Sequence, residues 1–253
     1  MPRLAMDERR TTFREVALGF SPEAAVAEAQ RCILCPRPRC VDLGCPLKNR
    51  IPEWIECIQQ GEFLEAAALT RTTSSMPEIC SRICPQERLC EGKCALGIKG
   101  EPVAIGALER FVNDWAEARG GIPLEPGPPT GYSVAIIGAG PAGMAAAEQL
   151  LRLGHRPTLF DALETPGGLL SHGLPGFKLD PAVVERRWGI LERAGAVFQG
   201  NRTFGKTLTV ESLFAQQFDA VFVGVGALAS VTPRLPGVDL PGVTQAMDFL
   251  RAP

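Results

Sequence analysis

Two histidines serve the whole chain of 253 residues. His155 follows the end of an expected helix and His172 lies in an expected loop. No serine–histidine–aspartate arrangement surrounds either, so no side chain is nominated as a catalytic acid, base or nucleophile. A large excess of one charge sign is also lacking, with 26 Lys and Arg against 28 Asp and Glu. A net charge of -2 removes the electrostatic case for nucleic acid or an anionic membrane as the main partner. No run approaches the ~20 apolar residues that span a bilayer. The opening segment, MPRLAMDERRTTFREV, is charged and lacks the apolar centre of a secretory signal. The expected compartment is therefore the cytoplasm, where structural disulfides are rare. Finally, no cysteine follows Cys94.

What the chain does have is nine cysteines in its first third: Cys32, Cys35, Cys40, Cys45, Cys57, Cys80, Cys84, Cys90 and Cys94. General core packing would scatter them, so their confinement points to a separate module with its own chemistry. The first group reads C-x2-C-x4-C-x4-C and the second C-x3-C-x5-C-x3-C. The compartment disfavours disulfides. Zinc sites usually pair one short knuckle with another, and the second group has neither a C-x2-C nor a nearby histidine. Iron–sulfur ligation fits better, because closely spaced thiolates wrap around one cubane. Cys45 and Cys84 each precede a proline. In two-cluster ferredoxins the cysteine before proline ligates the other cluster. Exchanged ligands would tie both halves of the module together and make cluster assembly and folding one event. Cys57, one turn beyond Trp54, reads as a buried thiol. That leaves eight candidates for two clusters if every ligand is a cysteine.

Hydrophobic residues make up 45% of the chain, enough for packed cores. SPEAAVAEAQR predicts a helix with Ser21 as N-cap and Pro22 at its first position, and IPEWIECIQQG predicts another ending at Gly61. The expected architecture is α/β: an all-helical domain around two [4Fe–4S] clusters at 1–119, a Gly/Pro-rich linker at 120–131, and an incomplete Rossmann-like domain with a parallel sheet at 132–253. Tyr132–Ile137 reads as a strand, and Gly138, Gly140 and Gly143 form G-x-G-x-x-G before a helix ending at Gly154. Asp161 lies about twenty residues further on, at the end of a second strand. Strand, helix and acid together make this a dinucleotide fingerprint. Gly138 would permit the turn, Gly140 the approach of a pyrophosphate, and Gly143 close helix–strand packing. The helix N-terminus would face the phosphates, and Asp161 would accept hydrogen bonds from a ribose hydroxyl. The later PGGLL favours FAD, with Gly167 and Gly168 running close against the cofactor. A formal G-x-G-x-x-A at Gly224, Gly226 and Ala229 has no following helix and reads as a strand end. NRTFGKTLTV and DAVFVGVGA are expected to supply later strands. PAVVERRWGILERAG predicts a helix, since Val183, Val184, Trp188 and Leu191 recur at helical spacing.

CILCPRPRC, GCPLKNRIPEWI, ICSRICPQERLCEGKC, PVAIGALERFVNDWA, VAIIGAGPAG, PGGLLSHGLPGFKL and FDAVFVGVGA occur in that order. Together they resemble the small subunit of NADPH-dependent glutamate synthase and its relatives. These relatives include the N-terminal region of dihydropyrimidine dehydrogenase and the larger subunit of a ferredoxin:NADP transhydrogenase. The resemblance implies one [4Fe–4S] cluster on Cys32, Cys35, Cys40 and Cys94. A second would sit on Cys45, Cys84, Cys90 and Glu109, with Cys80 a bystander. It implies FAD at Gly138, Ala139, Gly140, Pro141, Ala142 and Gly143, with its ribose at Asp161. Further contacts are implied at Gly168, Leu169, Lys178 and Phe204. Two departures stand out. Cys40 and Cys45 are separated by four residues where the family usually has three. The family's NAD(P)H-binding domain is also not found, so NAD(P)H enters the expectation only through another domain or a partner. The expected role is electron transfer between FAD and two clusters, towards a larger catalytic subunit or acceptor protein. The alternatives are another terminal acceptor, or an adaptor with little activity of its own.

Overall fold

The computed structural model describes residues 1–227 and 229–251. They fall into two units, one of residues Met1–Pro123 with Gly176–Val183 and the other of Leu124–Pro175 with the chain from Val184 onward. The final two residues of the expected 132–253 domain lie outside the described residues.

Proline sits at the start of three helices of the first unit, at Pro22, Pro52 and Pro77, where its missing N–H would have had no partner. After a single turn, α1 (Met6–Arg9), come α2 (Pro22–Ala29), α3 (Ile51–Gln59), α4 (Phe63–Thr70), α5 (Pro77–Ile83) and α6 (Ile105–Glu117). Ser21 caps α2 by accepting the Ala24 N–H at 3.2 Å. Trp54, Ile55, Ile58, Leu108, Phe111 and Val112 are buried in one core shared by α3 and α6. Each contributes roughly 1.5–3 kcal/mol of burial. A buried polar chain runs through that core. The Trp54 indole donates to Asn49 Oδ1 (2.9 Å), Asn49 donates to the Thr70 carbonyl (3.1 Å), and Asn113 donates to the Thr70 hydroxyl (3.2 Å). Cys57 is only half-buried at the edge of this core, because α3 turns its Ile and Trp face inward instead. Residues 176–183 join this unit through the Val16 N–H to the Phe177 carbonyl (3.1 Å) and the Asp180 N–H to Glu15 Oε1 (3.3 Å).

The second unit contains β1 (Ser133–Ile137), α7 (Pro141–Arg152), β2 (Arg156–Phe160), α8 (Leu169–His172), most of α9 (Pro181–Arg193), β3 (Val197–Gln199), α10 (Val210–Ala215), β4 (Ala220–Val223) and α11 (Ala246–Arg251). Its sheet is wholly parallel, ordered β3-β2-β1-β4. The central strand β1 is apolar on both faces, as a parallel strand covered on two sides must be. The 120–131 stretch, expected as a linker, divides at Pro123. Its later half packs on the second unit, through the Gly127 N–H to the Leu151 carbonyl and the Thr130 N–H to the Gly154 carbonyl, each 3.0 Å.

One expectation is overturned. NRTFGKTLTV supplies no strand to the sheet; β3 precedes it. The chain closes a turn through the Gly205 N–H to the Leu208 carbonyl (2.8 Å), with Gly205 at φ +79°. Thr209 then caps α10 in a reciprocal box with Ser212, so side chains divert this backbone from strand pairing.

Between α7 and α9 lies a buried ion pair. Glu148 is 2% exposed and Arg187 1%. They are hydrogen-bonded, and Arg152 also reaches Glu148 at 3.0 Å. Glu148→Ala would remove the buried carboxylate from the Arg187 guanidinium and is expected to cost about 3–5 kcal/mol in urea denaturation. Replacing both residues together with Leu and Met is expected to cost far less.

Candidate cluster and dinucleotide sites

Local backbone geometry aims the cysteines. Cys32 follows α2, its N–H donating to the Ala29 carbonyl (2.9 Å). Gln59 of α3 donates to the Ala29 and Cys32 carbonyls at 2.9 and 3.1 Å. Leu34 takes a left-handed conformation, φ 47°. That is costly for a branched side chain and persists only where surroundings enforce it. It folds the chain so that Cys32 and Cys35 share one cavity. Cys40 and, from the second loop, Cys94 complete its sulfur lining, and Ile51, Ile55, Val103 and Ile105 form apolar walls. Burial first, then the neighbouring sulfurs of Cys32, Cys94 and Cys35, pushes the Cys40 thiol up to about 12. Such sulfurs ionise readily only when a cation shares their charge, so metal loading displaces protons here.

The four residues between Cys40 and Cys45 belong to a single π-helical turn, Cys40–Gly44, closed by the Cys45 N–H to the Cys40 carbonyl (2.8 Å). Such wide turns are frequent at functional sites. Both Cys45 (ψ 118°) and Cys84 (ψ 139°) end a helical turn in extended backbone, because the following proline excludes the α region. Gly44 is then pressed on the second loop: a Cβ there would lie 2.8 Å from Cys90 Cα.

Cys45, Cys84, Cys90 and Glu109 form the second group. Glu109 and Cys90 act electrostatically on Cys84, and so does Cys45. Burial pushes the Cys90 thiol up to about 12, with Glu91 and Glu109 adding to it. Burial likewise holds the Glu109 carboxyl well above its usual range, reinforced by Cys80 and Glu78 and opposed by Arg71. Beside Glu109, the buried Arg71 Nε and Asn113 Oδ1 have no hydrogen-bond partner among the described residues, while Asn113 Nδ2 holds the Glu109 carbonyl at 2.9 Å. Among the described residues no three Cys, His, Asp or Glu side chains surround a single point. The first four sulfurs instead wall a cavity, which suits a cubane, whose thiolates each take a separate iron. All nine cysteines are free of disulfides.

In the glycine loop the three glycines have different reasons. Gly138 has φ +102°, and a Cβ there would collide with the Gly224 carbonyl oxygen. A Cβ on Gly143 would collide with the Gly138 carbonyl oxygen. Gly140, with φ -75°, has room: a Cβ would meet only Gly168 Cα, at 3.8 Å. The fold itself demands the first and third, whereas the bareness of Gly140 serves what approaches from outside. Pro141 and Ala142 in the first turn of α7 are exposed, at a helix end whose amides lack intrahelical partners. The residues present therefore fit a dinucleotide pyrophosphate.

Asp161, just past β2, does more than await a ribose. Its Oδ2 accepts the Ala139 N–H (2.7 Å) and its Oδ1 the Leu163 N–H (2.9 Å). A carboxylate has about four acceptor sites, so capacity remains for a ligand hydroxyl. Gly167 and Gly168 run against the glycine loop itself, the Gly167 N–H donating to the Ala139 carbonyl at 2.9 Å. Gly168 opens α8, which begins at the half-exposed Leu169. Lys178 is an exposed side chain within the 176–183 segment of the first unit, and Phe204 lies in the turn before Leu208. His155 hydrogen-bonds Thr130 (2.6 Å) and His172 hydrogen-bonds Thr165 (3.1 Å). The role of Asp161 as a loop clamp and the contact of Gly44 with Cys90 were not foreseen from sequence.

Residues 9–121 match the family model described as dihydropyrimidine dehydrogenase domain II, 4Fe-4S cluster. Residues 132–252 match the model for pyridine nucleotide-disulphide oxidoreductase. The glutamate synthase [NADPH] small chain of Halomonas elongata is 42% identical over 245 residues, 96% of this chain and 52% of that protein. The same small chain of Escherichia coli K12 is 41% identical over 252 residues, 99% of this chain and 53% of that protein. The oxidoreductase UacF of E. coli K12 is 42% identical over 251 residues, 99% of this chain and 39% of that protein. This chain thus spans about half the length of the small chains, and less of UacF.

The glycines separate by experiment. Gly143→Ala is expected to lower the melting temperature by several degrees. Gly140→Ala is expected to leave melting of the flavin-free protein unchanged while cutting FAD retention through desalting at least tenfold. Equal effects of the two on both readouts would contradict the division.

Proposed function

We propose, from the matches of residues 9–121 to a dihydropyrimidine dehydrogenase-type 4Fe-4S domain and of residues 132–252 to a pyridine nucleotide-disulphide oxidoreductase domain, that the chain is an electron-transfer module of the glutamate synthase small-subunit type. Its cofactors are [4Fe–4S] clusters and FAD. Cys32, Cys35, Cys40 and Cys94 hold one cluster, and Cys45, Cys84, Cys90 and Glu109 the other. Bound in these places, the flavin supplies two-electron chemistry with a nicotinamide and the clusters supply one-electron transfer.

The chain's own residues bind and orient these groups. Gly140 and the α7 N-terminus receive the pyrophosphate, and Asp161 keeps the loop in register while leaving acceptor sites for the ribose. The apolar walls of the first cavity exclude water from its sulfurs, which sets the local dielectric and hence the potential. The observation that carries the reading is the convergence of Cys94, from the second loop, on the cavity lined by Cys32, Cys35 and Cys40. On this reading the electron donor would be NAD(P)H and the acceptor a larger catalytic subunit or another protein. A different terminal acceptor is the second reading. It is favoured by the 42% identity to UacF, which equals that to a glutamate synthase small chain.

Anaerobic photoreduction of the purified chain tests the module. Flavin bleaching and paramagnetic signals from reduced clusters are expected together; a flavin that reduces while the iron stays silent would contradict electron transfer. Cys40→Ala is expected to remove about half of the iron and lower the helical circular dichroism. Unchanged iron and dichroism would refute its role as a ligand. Glu109→Ala is expected to alter one cluster's spectrum and potential, and an unaltered pair would take Glu109 out of the ligand set.

A further inference from the structure

Around the first sulfur cavity the surface changes character. Acids and bases nearly balance over the whole chain, at 28 and 26. The two stretches that carry the cavity's sulfurs, 32–45 and 90–99, hold four bases and two acids. The bases are Arg37, Arg39, Lys93 and Lys99, all exposed. Of the acids, Glu91 turns inward, its Oε1 accepting the Gly106 N–H at 2.9 Å. Asp42 stays outside, with the Lys48 ammonium donating to its carbonyl.

Neighbouring cations are engaged. Arg31 pairs with Glu28 at 2.6 Å and holds the Glu101 and Pro102 carbonyls at 2.6 and 3.1 Å, and Arg50 pairs with Glu53 at 3.4 Å. Arg37, Arg39, Lys93 and Lys99 make no ion pair or side-chain hydrogen bond among the described residues. Arg39 and the exposed Ile33 line the cavity beside its four cysteines. Ile98, also mostly exposed, ends the turn Ala95–Ile98 that follows Cys94. The turn Glu91–Lys93 packs on Cys40–Gly44, and the Arg31 bonds tie the start of the first loop to the chain just past Lys99. Solvated cations and single exposed aliphatics are each common on protein surfaces. Here both frame the opening over the sulfurs, and an apolar centre with arginine around it is the make-up of a protein interface.

We propose that this opening is where the electron acceptor docks, and that the acceptor is a redox protein whose own centre is ringed by Asp and Glu, met chiefly by Arg37 and Arg39. This deepens the electron-transfer reading and rests on Cys32, Cys35, Cys40 and Cys94 holding a cluster. An anionic lipid surface would match the charge but accepts no electron, so it leaves the position of the cations over the sulfurs unused. One electron passes per encounter: the cluster is oxidised by one, the acceptor is reduced by one, and no bond or proton changes hands. A loaded cluster's own negative charge would lie behind these cations, which an approaching protein meets first. Opposite charges speed and orient the encounter, and salt screens them.

The test is stopped-flow oxidation of the full, anaerobically photoreduced chain by two probe proteins, the acidic blue-copper protein plastocyanin and the basic cytochrome c. Iron, sulfide and the paramagnetic signal of the reduced clusters are measured alongside. The plastocyanin rate is expected to fall about tenfold or more as salt rises from about 10 to about 300 mM, and the cytochrome c rate is not. Arg37→Glu with Arg39→Glu is expected to cut the plastocyanin rate at low salt about tenfold, with iron unchanged and cytochrome c no slower. Arg193→Glu with Arg234→Glu makes the same change in net charge elsewhere on the exposed surface and is expected to leave both rates near wild type. Should the Arg37 and Arg39 pair lose iron, Lys99→Glu and the wild-type salt dependence decide the matter. A plastocyanin rate indifferent to salt, or lowered equally by both pairs, would overturn the proposal. Sedimentation of the chain with phosphatidylglycerol vesicles through Arg37 and Arg39, with plastocyanin unaffected by their reversal, would overturn it in favour of a lipid surface. A wild-type chain without iron or a cluster signal would instead remove the ligand reading beneath it.

Discussion

Everything in the first unit depends on two cysteine loops being held against each other. The first loop runs from Cys32 to Cys45 and the second from Cys84 to Cys94. Cys94 lines the cavity of Cys32, Cys35 and Cys40, while Cys45 turns towards Cys84 and Cys90. On the proposed ligand sets, neither site would be complete without the other loop. Gly44 makes the crossing possible, since any side chain there would meet the backbone at Cys90. On the proposed ligand sets, crossed ligands would also make loading and folding one process, a cluster bound to one loop pinning the other in place. The unit's ordinary core, packed around Trp54 and Leu108, brackets the loops with α3 and α6 and fixes where they emerge.

The second unit solves a different problem with the same economy. Its loop after β1 must be tight enough to fold and bare enough to admit a phosphate. Gly138 and Gly143 meet the first demand, and Gly140 the second. Asp161 links them by clamping the Ala139 amide, so the residue that would read the ribose also sets the loop's shape. Change at that position would therefore disturb binding twice.

Much of this was legible in the sequence. The parallel sheet, the Ser21 cap, the helix after Asp180 and the clustering of thiols follow from periodicity, capping chemistry and cysteine spacing, which are local signals. The crossing of Cys94 into the first group is not local, and its trace came from family likeness; proline after Cys45 and Cys84 hinted only that some ligands change partner. NRTFGKTLTV misled because alternating Thr and apolar residues suit a strand, while the Thr209 and Ser212 side chains compete successfully for the backbone. The contacts of Gly44 and Gly168 with distant backbone leave no mark in a single sequence, since a glycine does not say which neighbour it makes room for. The division of the 120–131 stretch was hidden likewise, because Gly/Pro composition does not reveal that Gly127 bonds to Leu151.

The central claim is that these sulfurs hold iron–sulfur clusters and the glycine loop holds a flavin. Iron, acid-labile sulfide, zinc and FAD per polypeptide, measured on the anaerobically purified chain, test it most directly. The account predicts about eight irons, sulfide in equal number, and one flavin. Zinc without sulfide would contradict it.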